Sequence, residues 1–353
     1  MKVLEKISLS LLKKIEPELA HNIVIKILQL RIIGNYQQFT SPRIKTEIAG
    51  IQFSNPIGLA AGFDKNGSAL NGLSKIGFGF LEIGAVTPIA QKGNPKPRLF
   101  RLDRDGAIIN RLGFNNNGMM RVATKLKSRP SGLILGLNIG ANKHSKNRVL
   151  DFANVLKHCG NFIDFATINV SSPNTKNLRR LQNSDTLSDI MKNIEIIRLN
   201  SLEKKLPIFL KISPDLSKDA VKEIADVALK NDIAAIIATN STIERSNLKG
   251  EHSLQLGGLS GKPLFEKSTR ILAHLYQALD RKIPLIGVGG ITNGQDAYEK
   301  ILAGASAIQI YTALVFKGFS LVNNIAKELD FLIQKDGYEN ISEAVGSRNS
   351  DWL

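Results

Sequence analysis

The sequence predicts an α/β fold, a (β/α)8 TIM barrel with an N-terminal two-helix extension and a small β-insertion over the barrel mouth. Three observations lead there. From about residue 50 onward, short apolar runs alternate with longer segments of helical periodicity, and eight such units fit on the 353-residue chain. An amphipathic stretch ahead of them has a different texture, and one loop is too long for an ordinary strand-to-helix connection. A doubly wound open sheet is the alternative arrangement of the same alternation.

The elements follow in order. Residues 3–15 place Val3, Leu4, Ile7, Leu11 and Ile15 at helical spacing, with Lys6, Lys13 and Lys14 between them. Pro17 suits a first helical turn, and Leu19, Ile23, Ile27 and Leu30 repeat the pattern until Gly34 stops it. Two short helices are therefore expected. They either pack as a hairpin on the main domain or lie at a membrane interface, where lysines flanking an apolar face bind. Strands are expected at 57–61, 80–86, 133–139, 164–170, 208–212, 234–238, 285–288 and 307–310. Helical periodicity fills 186–202, 218–230, 265–279 and 294–303 between them. The long loop, 88–116, separates the second strand from its helix. Its Asp105-Gly106, between "RLFRL" and "AIIN", is a hairpin signal.

Composition narrows the function classes. Apolar residues make up 43% of the chain, enough for a sizeable core. A net charge of +16 and a pI near 9.8 imply an anionic partner: nucleic acid, acidic lipid or a phosphorylated ligand. The single cysteine, Cys159, excludes a disulfide framework and a thiolate cluster. No stretch near twenty residues is free of charge, so a transmembrane helix is not expected. Charges such as Glu5, Lys6, Lys13 and Lys14 likewise argue against a cleaved signal sequence.

In a barrel of this kind, polar residues just past each strand converge on one mouth. The first strand leads into "AAGFDKNG" with Lys65 at the rim, the second ends in "GAVTP" and the third in Asn138. The fourth ends in Asn169 and "SSPN", the fifth in Lys211, the sixth in "TNST", the seventh in "GVGGI" and the eighth in "YTA". A single strand-end asparagine is ordinary turn chemistry. Its recurrence beside lysines exceeds what turns require, and Lys65 and Lys211 are placed to meet an anion. Glycines after strand seven suit close backbone approach to a phosphate. "GVGGI" is not a dinucleotide fingerprint, because Thr292 stands where its third glycine would be. "GLSGKP" (258–263) is not a nucleotide-triphosphate loop, because Leu256 and Pro263 break the pattern. It still suits a phosphate or ribityl contact, so a phosphorylated cofactor is expected. The five histidines lack metal-ligand spacing, His158 beside Cys159 reads as structural, and no Ser-His-Asp set is visible; no metal is expected.

With these motifs assembled, the chain resembles the class 2, quinone-dependent dihydroorotate dehydrogenases. "NPIGLAAGFDKNG", "EIGAVTP", "GNPKPRLFRL", "NRLGFNN", "NIGANK", "INVSSPNT", "LKISPD", "ATNST", "GGLSGKPL", "GVGGI" and "QIYTALVFKG" occur in family order, and the likeness runs from the N-terminal helices to about Lys317. The resemblance implies an FMN-containing barrel that oxidises dihydroorotate to orotate in pyrimidine biosynthesis and passes the electrons to a membrane quinone. It implies that FMN is held by Ala61, Gly62, Phe63, Asp64, Lys65, Asn138, Asn169, Lys211, Thr239, Gly261, Gly290, Tyr311 and Thr312, with Ala85 beside it. Dihydroorotate would meet Lys65, Asn110, Arg111, Leu112, Gly113, Phe114, Asn169, Asn174, Asn240 and Ser241. Asparagine amides, which donate and accept, suit a ring of alternating C=O and N–H groups.

Ser172 is implied as the base that takes the C5 proton. Class 1 relatives use cysteine there and lack the N-terminal helices, so both markers point to class 2. Ala85 departs from the family, which commonly has Thr or Ser at that position. The resemblance further assigns residues 1–40 to membrane association and a quinone tunnel, and 41–353 to the FMN-binding barrel. It implies a monomer bound peripherally to the cytoplasmic side of a bacterial cell membrane, attracted to acidic lipid and not to nucleic acid. A flavin-dependent tRNA-dihydrouridine synthase is the rival enzyme, but it uses a cysteine beside the flavin, and Cys159 precedes the fourth strand. A basic RNA-binding barrel is the non-enzymatic rival.

Overall fold

The computed structural model describes residues 2–32, 34, 36–174 and 182–353, with Lys2, Val3, Leu4 and Lys6 as backbone only; Thr175 of the fourth strand's polar cluster lies outside the described residues. Helices α1 (Lys2–Leu12) and α2 (Pro17–Gln29) come first, followed by a short antiparallel hairpin, β1 (Thr46–Ile48) and β2 (Ile51–Phe53). Then come β3 (Ile57–Leu59), α3 (Leu70–Leu73), β4 (Phe80–Val86), β5 (Leu99–Leu102), β6 (Ala107–Asn110) and α4 (Met119–Leu126). The middle of the chain forms β7 (Leu135–Ile139), α5 (Arg148–Cys159), β8 (Phe165–Asn169), α6 (Ser184–Ser201), β9 (Ile208–Ile212), α7 (Lys218–Lys230) and β10 (Ala235–Ala238). The remainder is β11 (Gly258–Gly261), α8 (Phe265–Ala278), β12 (Leu285–Val288), α9 (Gly294–Leu302), β13 (Ala305–Ile310), α10 (Thr312–Lys317), α11 (Ser320–Lys335) and α12 (Ile341–Ala344).

Eight of these strands close a parallel barrel in the order β3-β4-β7-β8-β9-β10-β12-β13, which bears out the expected (β/α)8 architecture. The chain belongs in a barrel because these strands are buried along almost their whole length, and only a closed sheet wrapped by helices hides both faces. The lower interior is an aromatic layer. Phe165 stacks on Phe209 with centroids 4.4 Å apart, and Phe80 meets Phe165 edge-on at 6.1 Å. Glycine makes the room: a Cβ on Gly58 would lie 2.3 Å from the Phe80 ring, and one on Gly136 would lie 2.1 Å from the Phe165 ring. Ile48 and Phe53 of the β1–β2 hairpin join this cluster, so the hairpin plugs the barrel floor. With the floor sealed, a ligand enters from the opposite, C-terminal mouth.

The insertion spanning 88–116 forms the expected hairpin, β5 with β6, joined through Gly106 in the left-handed region at φ 56°. A third strand, β11, pairs with β6, so the segment read as a phosphate-type loop is also the edge of this small sheet. The N-terminal helices sit beside it. Glu16 caps α2 by accepting from the N–H groups of Glu18 at 2.9 Å and Leu19 at 2.7 Å, with Pro17 in the first turn. Glu18 forms a two-pronged pair with Arg98 at 2.7 and 3.1 Å, both side chains nearly buried, which ties α2 to the insertion. Glu5 fastens α1 by accepting from the N–H groups of Phe319 and Ser320, and from the Tyr36 hydroxyl at 3.2 Å. Ile7, Leu11, Leu19, Leu30 and Ile32 on these helices and just beyond α2 remain exposed.

Candidate active site

A cavity of about 370 Å³ opens at the C-terminal mouth of the barrel. Every stretch singled out at a strand end contributes to it. Ala61, Gly62 and Lys65 come from the loop after β3, Ala85 from β4, Asn138 from β7, and Asn169, Ser172 and Asn174 from the end of β8. Lys211, Thr239, Asn240, Ser241, Gly290, Tyr311 and Thr312 line it from the ends of β9, β10, β12 and β13. The small sheet covers it with Asn110 and Gly261, and Leu112, Gly113 and Phe114 follow β6.

Phe63, Asp64 and Arg111 do not line this cavity. Asp64 is buried and accepts from the N–H groups of Asn66, Ser68 and Ala69, so it shapes the loop that presents Lys65. Arg111 points outward, donating to Gln255, to the Leu256 carbonyl and to the Pro97 carbonyl, with its guanidinium 4.6 Å from the Phe100 ring centroid. Phe63 faces a second cavity.

Much of the polar lining of the main cavity belongs to a connected network. Asn240 Nδ2 donates to Ser171 Oγ at 3.0 Å and to Asn169 Oδ1 at 3.4 Å, and Asn169 Nδ2 donates to Asn138 Oδ1 at 2.9 Å. Asn138 Nδ2 then donates to Glu82 Oε1 at 2.6 Å, and Gln309 Nε2 donates to the other Glu82 oxygen. Glu82 is fully buried beneath the mouth with both oxygens accepting, as a carboxylate's do. Sequence reading singled out Asn138 and Asn169 but passed over Glu82 and Gln309. Their places in β4 and β13, strands buried along almost their whole length, mark them only as interior positions, and their meeting requires residues that lie 227 apart in the chain.

Of the lysines that line this cavity, Lys65 and Lys211 are shifted by burial. Burial pushes the Lys65 ammonium down to about 8, opposed by the charges of Glu18 and Asp64. Burial also lowers Lys211, with Glu82 pulling it back up. Ser172 is buried, and its Oγ accepts from the Asn174 N–H at 3.3 Å, while Asn174 Nδ2 donates to Asn110 Oδ1 at 3.1 Å, closing the small sheet over β8. A pocket with cations from strands on opposite sides of the barrel, amides that donate and accept, and a buried hydroxyl suits a flat, polar, anionic ring.

The second cavity, about 340 Å³, lies between α1, α2 and the barrel rim. Leu9, Leu12, Val24, Ile27, Leu314 and Val315 make it mostly apolar. Phe63 meets His21 edge-on at 5.1 Å and Tyr311 at 5.4 Å along one wall. Burial drives the His21 imidazole down to about 3, so it is neutral there. Leu99, Ile108 and Tyr311 line both cavities, making one thin partition between a polar chamber and an apolar one. Cys159 is remote from this arrangement: it is buried at the end of α5, its thiol pushed up to about 12.

The family model for dihydroorotate dehydrogenase matches residues 43–333. This chain belongs to the dihydroorotate dehydrogenase family. A dihydroorotate dehydrogenase (quinone) of Cereibacter sphaeroides is 49% identical over 354 residues, covering all of both chains. The mitochondrial dihydroorotate dehydrogenase (quinone) of Mus musculus is 40% identical over 342 residues, 96% of this chain and 88% of that one. The solved structure of Eimeria tenella DHODH in complex with ferulenol superposes with a TM-score of 0.90 at 38% identity, covering 94% of this chain and 95% of that one. Because full-length relatives carry the quinone designation, the chain is assigned to the quinone-dependent class of the family. No helix among the described residues is long and apolar enough to cross a membrane.

Proposed function

We infer that this protein oxidises (S)-dihydroorotate to orotate in de novo pyrimidine biosynthesis, with FMN as cofactor and a membrane quinone as acceptor. The carrying observation is the partition: a polar chamber that suits the substrate and an apolar chamber that suits a quinone share the wall formed by Leu99, Ile108 and Tyr311.

The main cavity fits FMN on its own chemistry. Lys211 and Lys65 offer cationic donors to electron-rich atoms of the ligand, and Gln309 Oε1 is buried with no hydrogen-bond partner, open to a ring N–H. Gly261, Gly289, Gly290 and the start of α10 at Thr312 converge at one end, a backbone cradle of the sort that holds a phosphate. FMN, when bound, supplies the two-electron acceptor for the hydride leaving C6 and the electrical connection to a quinone. Asn110, Asn169, Asn174 and Asn240 orient the substrate's amide edges, and Lys65 offsets its carboxylate. Ser172 takes the C5 proton as its own hydroxyl proton passes to solvent; the Asn174 N–H holds its oxygen in place. Ala85 lines the cavity without a hydroxyl, so any flavin contact there runs through backbone.

Residues 1–40 form the quinone-facing segment and 41–353 the catalytic barrel. The exposed Ile7, Leu11, Leu19, Leu30 and Ile32, with neighbouring lysines, support peripheral binding of a monomer to an acidic bilayer on the cytoplasmic side of a bacterial membrane. The test is colour. The purified protein should be yellow, bleach under anaerobic dihydroorotate and recover with a short-chain quinone. Bleaching without recovery would remove the quinone from this reading, and absence of bleaching would remove the substrate.

A further inference from the structure

Lys300, on α9, is fully buried, and the mechanism above gives it nothing to do. Its Nζ donates to Ser268 Oγ at 2.6 Å and to the Phe265 carbonyl at 3.3 Å, and lies 4.9 Å from the Phe265 ring centroid. The carboxylate acting on it is Asp296, one turn earlier on α9, whose Oδ2 is engaged by the Thr292 N–H at 2.7 Å and hydroxyl at 2.8 Å. Burial therefore drives the Lys300 ammonium well below lysine's usual range. A buried cation so weakly compensated is costly, and burial favours the neutral amine unless a further negative charge is near. That cost calls for a compensating charge, and α9 lies directly behind the glycine loop after β12.

The contacts lead from the lysine to that loop. Ser268 Oγ reaches the Gly289 carbonyl at 3.2 Å, on the side of the loop away from the main cavity, and shares its one proton between that carbonyl and the Phe265 carbonyl at 3.0 Å. The C=O and N–H of a trans peptide point in opposite directions, so a Gly289 carbonyl held by Ser268 turns the Gly290 N–H toward the cavity that both glycines line. The fit behind the loop is close. A Cβ on Gly289 would lie 2.6 Å from Ser268 Oγ, and one on Gly287 would lie 3.2 Å from Lys300 Cβ. A chain from ammonium to hydroxyl to carbonyl polarises each bond in turn and strengthens the donor at its far end.

We propose that Lys300 is a positioning residue for the phosphate of the bound flavin nucleotide. It pins the Gly289–Gly290 peptide from behind and adds a positive charge that the phosphate senses without touching. This rests on the reading that FMN places its phosphate against Gly261, Gly290 and Thr312. The phosphate in turn supplies the negative charge that the buried lysine lacks. Through protein interior such an interaction is screened far less than across solvent.

Comparing two flavins on apoprotein stripped of cofactor separates this from a packing role. FMN carries the phosphate and riboflavin does not. In Lys300→Met, which keeps the apolar stem, FMN binding should weaken on the order of tenfold while riboflavin binding stays within about twofold. Ser268→Ala removes the pin and keeps the charge; it should weaken FMN selectively and less, and it decides the matter if Lys300→Met does not fold. Equal weakening of both flavins, or no weakening of FMN, overturns the proposal. Wild-type apoprotein that binds neither flavin overturns the FMN reading instead.

Discussion

The two chambers of this protein are built on opposite plans. The main cavity is walled by side chains already committed to one another: Asn240, Asn169, Asn138, Glu82 and Gln309 form an unbroken hydrogen-bonded series, so each amide presents a fixed face to a ligand. The second cavity is walled largely by aliphatic side chains, most of them on two short helices, with the cations of Lys13 and Arg101 at its wall. Glu5 is engaged by α11, and His21 is uncharged by burial. The difference teaches a division of labour. Breaking C–H bonds needs atoms held in register, which a rigid polar network on barrel strands provides. On the proposed reading, accepting electrons from a flavin asks first for proximity, which an apolar slot supplies to an acceptor arriving from a lipid phase.

The largest effect that would sharpen this contrast is at Ser172. Ser172→Ala should slow flavin reduction by dihydroorotate about 10²–10⁴-fold, the range for loss of a general base. Reoxidation of chemically reduced flavin by quinone should not change. Anaerobic stopped-flow absorbance measures both halves, and a comparable loss in reoxidation would breach the division.

Next is the joint between the two regions. Arg98→Met leaves Glu18 with only the exposed Lys96 ammonium, 3.6 Å away, and since a broken buried pair costs about 3–5 kcal/mol the loss should fall toward the lower end of that range. Denaturant unfolding should register that loss, and Glu18→Gln combined with Arg98→Met should recover much of it. If the single variant were as stable as the parent, the pair would not be what ties α2 to the insertion.

Lys65 supplies a smaller effect with a defined sign. Its ammonium, pushed down to about 8 by burial, is charged below that pH and neutral above it. kcat/KM for anionic dihydroorotate should therefore be sustained below pH 8 and fall as pH rises through it. Lys65→Met should lower kcat/KM on the order of tenfold or more, as for a lost charged hydrogen bond, and flatten that limb. A limb that persists in the variant belongs to another group.

Much of this was legible in the sequence because of how barrels bury their strands. Phe80–Val86 and Ile208–Ile212 are apolar runs with no solvent face, and short uninterrupted runs between helical patterns stand out. The strand-end asparagines and lysines were visible for the same reason, since position past a strand fixes which mouth a side chain joins. Boundaries moved where loops take over: the first barrel strand ends at Leu59, not 61, because the chain already turns toward Lys65. What stayed hidden was long-range. The floor hairpin of Thr46–Ile48 and Ile51–Phe53 is too short to show a period. Gly258–Gly261 is a strand only because β6 is there to pair with it. Glu82, Gln309, Lys300 and the Glu18–Arg98 pair acquire meaning from partners that no local pattern announces.

The most direct test removes one region and leaves the other. A protein lacking residues 1–40, loaded with FMN, can be taken through both half-reactions in single-turnover stopped flow. Flavin reduction by dihydroorotate should stay within about twofold of the full chain, while reoxidation by a long-chain quinone in vesicles should slow on the order of tenfold or more, because one wall of the apolar slot and its membrane contact are gone. Equal slowing of both halves, or unimpaired reoxidation, would contradict the assignment of the two chambers.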